Sequence, residues 1–120
     1  MAAVVELEPL GLERVHLYEA HLPVAETTAS QSFYTRVVGL EFAHRDLTRD
    51  IVFLWAGEQR KSMLGLWGPG TTYGGEFHRS HIAFAVTLSE LLAAGERLRG
   101  SGVTCRDFRG EETAEPSVIG

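Results

Sequence analysis

Cysteine is nearly absent from this chain: Cys105 is the only one in 120 residues. That excludes an internal disulfide framework and makes the cytoplasm the expected compartment. Cys105 itself reads as a small buried apolar residue of a strand. Long hydrophobic runs are missing too, and no apolar stretch approaches the roughly 20 residues of a membrane span. The opening Met-Ala-Ala-Val-Val-Glu-Leu-Glu carries no basic region, so it does not read as a signal peptide. Positive charge is in the minority, with 11 Lys and Arg against 16 Asp and Glu and a net charge of −5. Nucleic-acid binding, which needs a basic face, is disfavoured. What is present is an ordinary globular composition, 44% hydrophobic and 22% charged. The length suits a single domain with a core of useful size.

The most informative positive feature is a pattern written twice. Glu19-Ala-His-Leu-Pro-Val24 leads through a polar turn into a helical stretch ending at Gly39 and a strand-like Leu40-Glu-Phe42. His81-Ile-Ala-Phe-Ala-Val86 opens a second copy, with its own polar turn, helical stretch, Gly100 and Gly102, and Val103-Thr-Cys105. Each copy begins with a metal-capable polar residue five positions before a valine. The first copy continues through two more strand-like runs to Trp67, whereas the second stops at Gly120. Module one therefore spans about residues 14–67 and module two about 80–120, the latter read as truncated. Gly68-Pro-Gly-Thr-Thr-Tyr-Gly-Gly75 is the linker between them, since four glycines and a proline disfavour regular structure.

Within the copies the periodicities are clear. Residues 15–24 alternate as a strand, placing Ala20, Leu22 and Val24 on one side and Glu19, His21 and Pro23 on the other. Thr28-Ala-Ser-Gln31 has capping-box spacing, and Ala29, Phe33 and Val37 share a helical stripe. Gly39 suits the left-handed end of that helix. Strands are predicted at Leu40–Ala43, Ile51–Trp55 and Met63–Trp67, with turns at 44–50 and 57–61. In the second copy, His81–Val86 reads as a strand and Thr87-Leu-Ser-Glu90 as a capping box. Leu91, Leu92, Gly95 and Leu98 form a helical stripe, and Val103–Phe108 reads as another strand.

His21-Leu-Pro-Val24, Ser32-Phe-Tyr-Thr-Arg-Val-Val-Gly-Leu-Glu-Phe42, Met63-Leu-Gly-Leu-Trp67 and Ser80-His-Ile-Ala-Phe-Ala-Val86 together resemble the vicinal oxygen chelate superfamily. That superfamily contains glyoxalase I, bleomycin-resistance proteins, fosfomycin-resistance enzymes and extradiol dioxygenases. The resemblance implies an α+β fold. Tandem βαβββ modules would form a U-shaped, mostly antiparallel sheet cup, with the second module here incomplete. It also implies four metal ligands, one from each of four strands. Glu19 stands at the first position, where His or Gln is commoner, and a carboxylate can ligate a divalent ion. Gly65 stands at the second, usually a Glu before Leu, and offers no side chain. His81 matches the third. The fourth, a Glu, belongs to a strand past Gly120.

Metal candidates are therefore Glu19 and His81, with His21 as a further candidate on the Glu19 face. The alternative for His81 is a strand-end histidine bonded to a backbone carbonyl, and for His21 a polar residue lining the cup. His21, Met63 and Trp67 are the substrate-binding candidates. Core packing is an equal reading for Met63 and Trp67. His16, His44 and His78 read as surface residues. The resemblance implies a lactoylglutathione lyase-like reaction on a small substrate with two vicinal oxygens. A divalent ion of unspecified identity would stabilise the developing oxyanion. The sequence locates no general base. Two alternatives stand beside it: a metal-free ligand-binding module resembling bleomycin-resistance protein, and an extradiol dioxygenase-like enzyme. An incomplete second module would leave a sheet edge open, and open edges recruit partners. A homodimer is the expected assembly.

Overall fold

The computed structural model of the chain describes residues 16–76 and 79–116, so His78 and the first residue of the predicted 15–24 strand lie outside the described residues. The chain forms two compact units, one ending at residue 78 and one beginning at Arg79. Among the described residues no helix is long and apolar enough to cross a membrane.

The first unit is a βαβββ module. β1 (Glu19–Pro23) leads into α1 (Thr27–Phe33), which continues as a π turn over Tyr34–Val38. β2 (Glu41–Arg45), β3 (Ile51–Ala56) and β4 (Ser62–Trp67) follow, with a short 3-10 turn at Glu58–Arg60 between the last two. The sheet order is β1-β4-β3-β2, with β1 parallel to β4 and the other two pairings antiparallel. β3, Ile-Val-Phe-Leu-Trp-Ala, concentrates β-branched and aromatic residues, which fit a pleated, half-buried surface. Its register pairs Val52 with Leu66 and Leu54 with Leu64. All four are at most 2% exposed, and α1 packs against these same two strands. Each such side chain stabilises the unit by about 1.5–3 kcal/mol relative to exposure.

The start of α1 differs from the predicted Thr28 capping box. Glu26 is the N-cap, and its carboxylate accepts the N–H groups of Ala29 at 2.6 Å and Thr28 at 3.2 Å. A negative charge at a helix N-terminus is favourable. Those two N–H groups hold the Glu26 carboxyl below the usual carboxylate range. The neighbouring Thr27 hydroxyl is drawn inward instead: it is 2% exposed, donates to Asp50 Oδ1 at 2.5 Å and accepts from Arg45 Nη2 at 3.1 Å. At the other end, Gly39 adopts φ +96° as predicted, and Tyr34 O accepts both Gly39 N–H and Leu40 N–H. β2 runs two residues further than predicted, through a register shift between Phe42 and His44.

In the second unit α2 spans Leu88–Gly100, and the predicted capping box is complete. Thr87 Oγ1 accepts Glu90 N–H at 3.2 Å, and Thr87 N–H donates to Glu90 Oε2 at 2.9 Å. The predicted strands His81–Val86 and Val103–Phe108 do not form as ladders. Among the described residues of this unit, pairing is limited to one isolated bridge, Arg106 with Glu112. Alternation makes a segment competent to be a strand, but a strand exists only when a neighbour takes its N–H and C=O groups. Among the described residues, module two thus contributes a helix and connecting segments rather than the second half of a sheet. Cys105 is half-buried and outside any strand, which corrects its reading as a strand residue.

Candidate functional site

The site residues of the first unit are placed by register. β1 alternates, so Glu19 and His21 share a face. The parallel pairing sets Glu19 beside Met63, His21 beside Gly65 and Pro23 beside Trp67. From the other side of β4, Trp55 pairs with Met63 and Phe53 with Gly65. One face of the sheet therefore carries Glu19, His21, Met63, Gly65 and Trp67 together with Phe53 and Trp55.

On that face the side chains make two kinds of contact. His21 Nε2 and Glu19 Oε1 are 2.7 Å apart, a direct hydrogen bond. The His21 ring also lies among aromatics. Its centroid is 5.0 Å from Trp67, 4.9 Å from Tyr73 and 6.4 Å, edge-on, from Phe53. Trp67 and Tyr73 meet in a T-shape at 4.6 Å. The edge-on pairs follow the ring quadrupoles, and the His21 ring is tilted against Trp67 and Tyr73. Trp67 is 5% exposed, and its indole N–H has no hydrogen-bond partner among the described residues.

Gly65 makes this packing possible. A Cβ there would lie 2.8 Å from His21 Cδ2, 2.9 Å from Trp67 Nε1 and 3.3 Å from Phe53 Cε1. The space a ligating side chain would need at this position is taken by the rings.

Arg49 completes the surroundings, with its guanidinium carbon 5.6 Å from the centre of the Trp67 ring. It is braced by Asp46, whose Oδ2 accepts from Arg49 Nε at 3.2 Å and from Nη2 at 2.9 Å. The backbone N–H groups of Thr48 and Arg49 also converge on Asp46 Oδ1, at 2.8 and 2.9 Å. Together with the Arg49 and Thr48 side chains, they hold the Asp46 carboxyl well below the usual range.

Of the residues singled out in the sequence, the structure brings Glu19, His21, Met63 and Trp67 onto one face of the first unit. His81 belongs to the second unit, where it is exposed and outside regular structure. His16 and His44 are exposed, as expected of surface residues. Phe53, Tyr73 and Arg49 were not foreseen. The period-two pattern of β3 could have flagged Phe53, but Tyr73 sits in a glycine-rich segment and Arg49 in a charged turn, where no periodicity points anywhere. The second unit has a cavity of about 590 Å³ against α2, lined by Glu96, Arg99, Cys105 and Glu112 among others. It includes none of the predicted site residues.

The model of one family matches residues 14–118, described as the glyoxalase/bleomycin resistance protein/dioxygenase superfamily. The chain belongs to that superfamily. Among solved structures, this superfamily member is similar to an integron cassette protein from the mobile metagenome of the Halifax Harbour sewage outfall. The identity is 24%, the match covers 81% of this chain and 93% of that one, and the TM-score is 0.65. It is also similar to lactoylglutathione lyase from Agrobacterium tumefaciens, at 20% identity over 81% of this chain and 89% of that one, with a TM-score of 0.60. At these identities the likeness is one of fold. No curated protein matches the chain.

The divalent ion implied by the superfamily can be tested against the residues of this unit. The face offers one carboxylate and one imidazole, already bonded to each other, and Gly65 adds nothing. Among the described residues no group of three or more His, Cys, Asp or Glu side chains gathers where it could hold a metal ion. Protein metal sites of this kind use at least three protein donors. The first unit by itself does not fit a closed metal centre.

Proposed function

We propose that this superfamily member is a small-molecule-binding protein of the bleomycin-resistance kind, which captures a ligand on the aromatic face of its βαβββ module. One observation carries the reading. At Gly65, where resemblance to the enzymes calls for a ligating carboxylate, the face is closed by His21, Phe53 and Trp67 instead. Clustered rings supply apolar area and shape selection, which suits sequestration. Glu19 then serves to orient the His21 ring through their 2.7 Å bond. Met63, half-buried on the same face, offers a soft apolar wall.

The competing reading is a lyase that uses a divalent ion, for which Glu19 and His81 are the candidates the sequence offers and His21 a further one. The proximity of Glu19 and His21 favours it. Elemental analysis of protein purified without chelator, alongside His21→Ala and His81→Ala, separates the two. The binding reading expects metal at background in all three proteins. One bound transition metal per chain, lost in either variant, would overturn it.

We also propose a homodimer. β1 and β2 are the edges of the four-stranded sheet, and unpaired edges recruit strands. Light scattering at tens of micromolar tests this, and a monodisperse monomer would refute it.

A further inference from the structure

We infer that Tyr73 holds the stacking place of a planar aromatic acid: such a ligand displaces the Tyr73 ring from His21 and Trp67 and sets its carboxylate against Arg49. The inference rests on the reading of the aromatic face as a ligand site, and it names the ligand class and the residue that gates it.

Tyr73 comes from the segment that follows β4. That segment is anchored at its base, where Gly68 N–H donates to Asp50 O at 2.8 Å. Thr71 N–H and Oγ1–H turn back onto Gly68 O at 3.3 and 2.6 Å, and Gly74 N–H reaches Thr71 O at 3.2 Å. The Tyr73 side chain has weaker ties. Its ring meets His21 at 4.9 Å and Trp67 at 4.6 Å, its hydroxyl has no hydrogen-bond partner among the described residues, and it is 53% exposed. Gly70 and Gly75, at φ +82° and +101°, stand on either side, so the backbone carrying Tyr73 can absorb a hinge-like change. A half-exposed ring that meets the His21 and Trp67 rings, with no side-chain hydrogen bond among the described residues, can be exchanged for a ligand ring of the same kind.

Two groups beside it remain unsatisfied by Tyr73. Among the described residues the Trp67 indole N–H is a buried donor with no acceptor, and such a group calls for an explanation. Arg49 uses Nε and Nη2 on Asp46, which leaves Nη1 without a protein partner among the described residues. Register gives the ligand its direction. Glu19 is level with Met63, while Trp67 is level with Pro23 and Ile51, and the Arg49 cation is beside Trp67. Glu19 repels an anionic group at one end, and at the other Arg49 Nη1, the guanidinium nitrogen that Asp46 does not engage, is the donor for a charge-assisted bond.

The test is calorimetric titration of the full chain with 1-naphthoate and with its neutral analogue 1-naphthalenemethanol. Wild type binds 1-naphthoate, and Tyr73→Phe, which keeps the ring, binds it equally. Tyr73→Ala binds it more tightly, by up to about tenfold, because no ring has to leave first. Arg49→Gln weakens 1-naphthoate by about tenfold, the size of one charge-assisted bond, and leaves 1-naphthalenemethanol unchanged. Thermal melts confirm that each variant is folded. If Tyr73→Ala binds no better than wild type, displacement is wrong while the ligand face stands. If Arg49→Gln weakens both probes alike, or neither, the assignment of an acid is wrong. If no folded protein in the series binds either probe, the reading of the face as a ligand site falls with the inference.

Discussion

Gly65→Ala is the sharpest perturbation of this structure. One methyl group would be added to the face of β4, beside both neighbouring strands. It would sit 2.8 Å from His21 Cδ2, 2.9 Å from Trp67 Nε1 and 3.3 Å from Phe53 Cε1. The first two distances are closer than real Cβ contacts, and Trp67 is 5% exposed, so it has little room to retreat. Overpacking of this kind costs about 1–3 kcal/mol. Against it stands a gain of about 0.4–1 kcal/mol, because alanine restricts the unfolded chain. The balance is a net loss of up to about 2.6 kcal/mol. At this chain length each kcal/mol moves Tm by about 2–8 °C. Urea unfolding followed by tryptophan fluorescence gives the free energy. Near-UV circular dichroism reports whether the ring cluster has rearranged. The double variant with His21→Ala supplies the control. Removing the imidazole relieves the closest contact, so Gly65→Ala should cost less in that background, and the difference is a coupling between the two positions. A Gly65→Ala protein as stable as wild type, with an unchanged aromatic signal and no coupling, would refute the argument that the glycine exists to seat the histidine ring.

Gly95→Ala should also run against ordinary expectation. Within α2 such a change normally stabilises by about 1 kcal/mol, yet a Cβ there would collide with the Ala114 carbonyl. Chemical denaturation should show a loss of stability, and a gain would mean that residues 113–114 give way easily. Asp46→Asn should make the chain less stable near neutral pH, since the folded state holds this carboxyl below its ordinary range and so favours its charged form. The sign follows from linkage. The contribution is present above the unfolded-state value of about 3.9 and fades as pH falls below it toward the lower folded-state value. Stability curves of the two proteins should therefore converge in acid, and a gap that stays constant with pH would contradict the assignment. Glu26→Gln should follow the same direction through the two N–H groups that its carboxylate accepts.

How far the site was legible depended on the range of the interactions involved. That Glu19 and His21 share a face followed from strand alternation alone, because successive Cβ atoms point to opposite sides. That His21 lies over Gly65 did not follow, because it needs the parallel register of β1 on β4, two strands far apart in sequence. The reading of Gly65 as a lost ligand position was similarly incomplete. The residue is occupied by its neighbours' rings, and sequence spacing carries no such information.

The chain's own sequence determined what a few adjacent residues can settle among themselves. Thr87 and Glu90 close a capping box, Gly39 takes the left-handed end of α1, and the β-branched and aromatic run from Ile51 forms a strand. Tertiary structure decided the rest. Asp50 and Arg45, both distant in sequence, draw the Thr27 hydroxyl inward. His81–Val86 and Val103–Phe108, competent as strands, find no ladder among the described residues. Tyr73 arrives beside His21 only because Gly68 is tied to Asp50 and the segment after it turns back toward β1. The physical reason is common to all three. Caps and turns close within one segment, whereas a strand or a ring cluster draws its energy from partners that only the folded chain brings within reach.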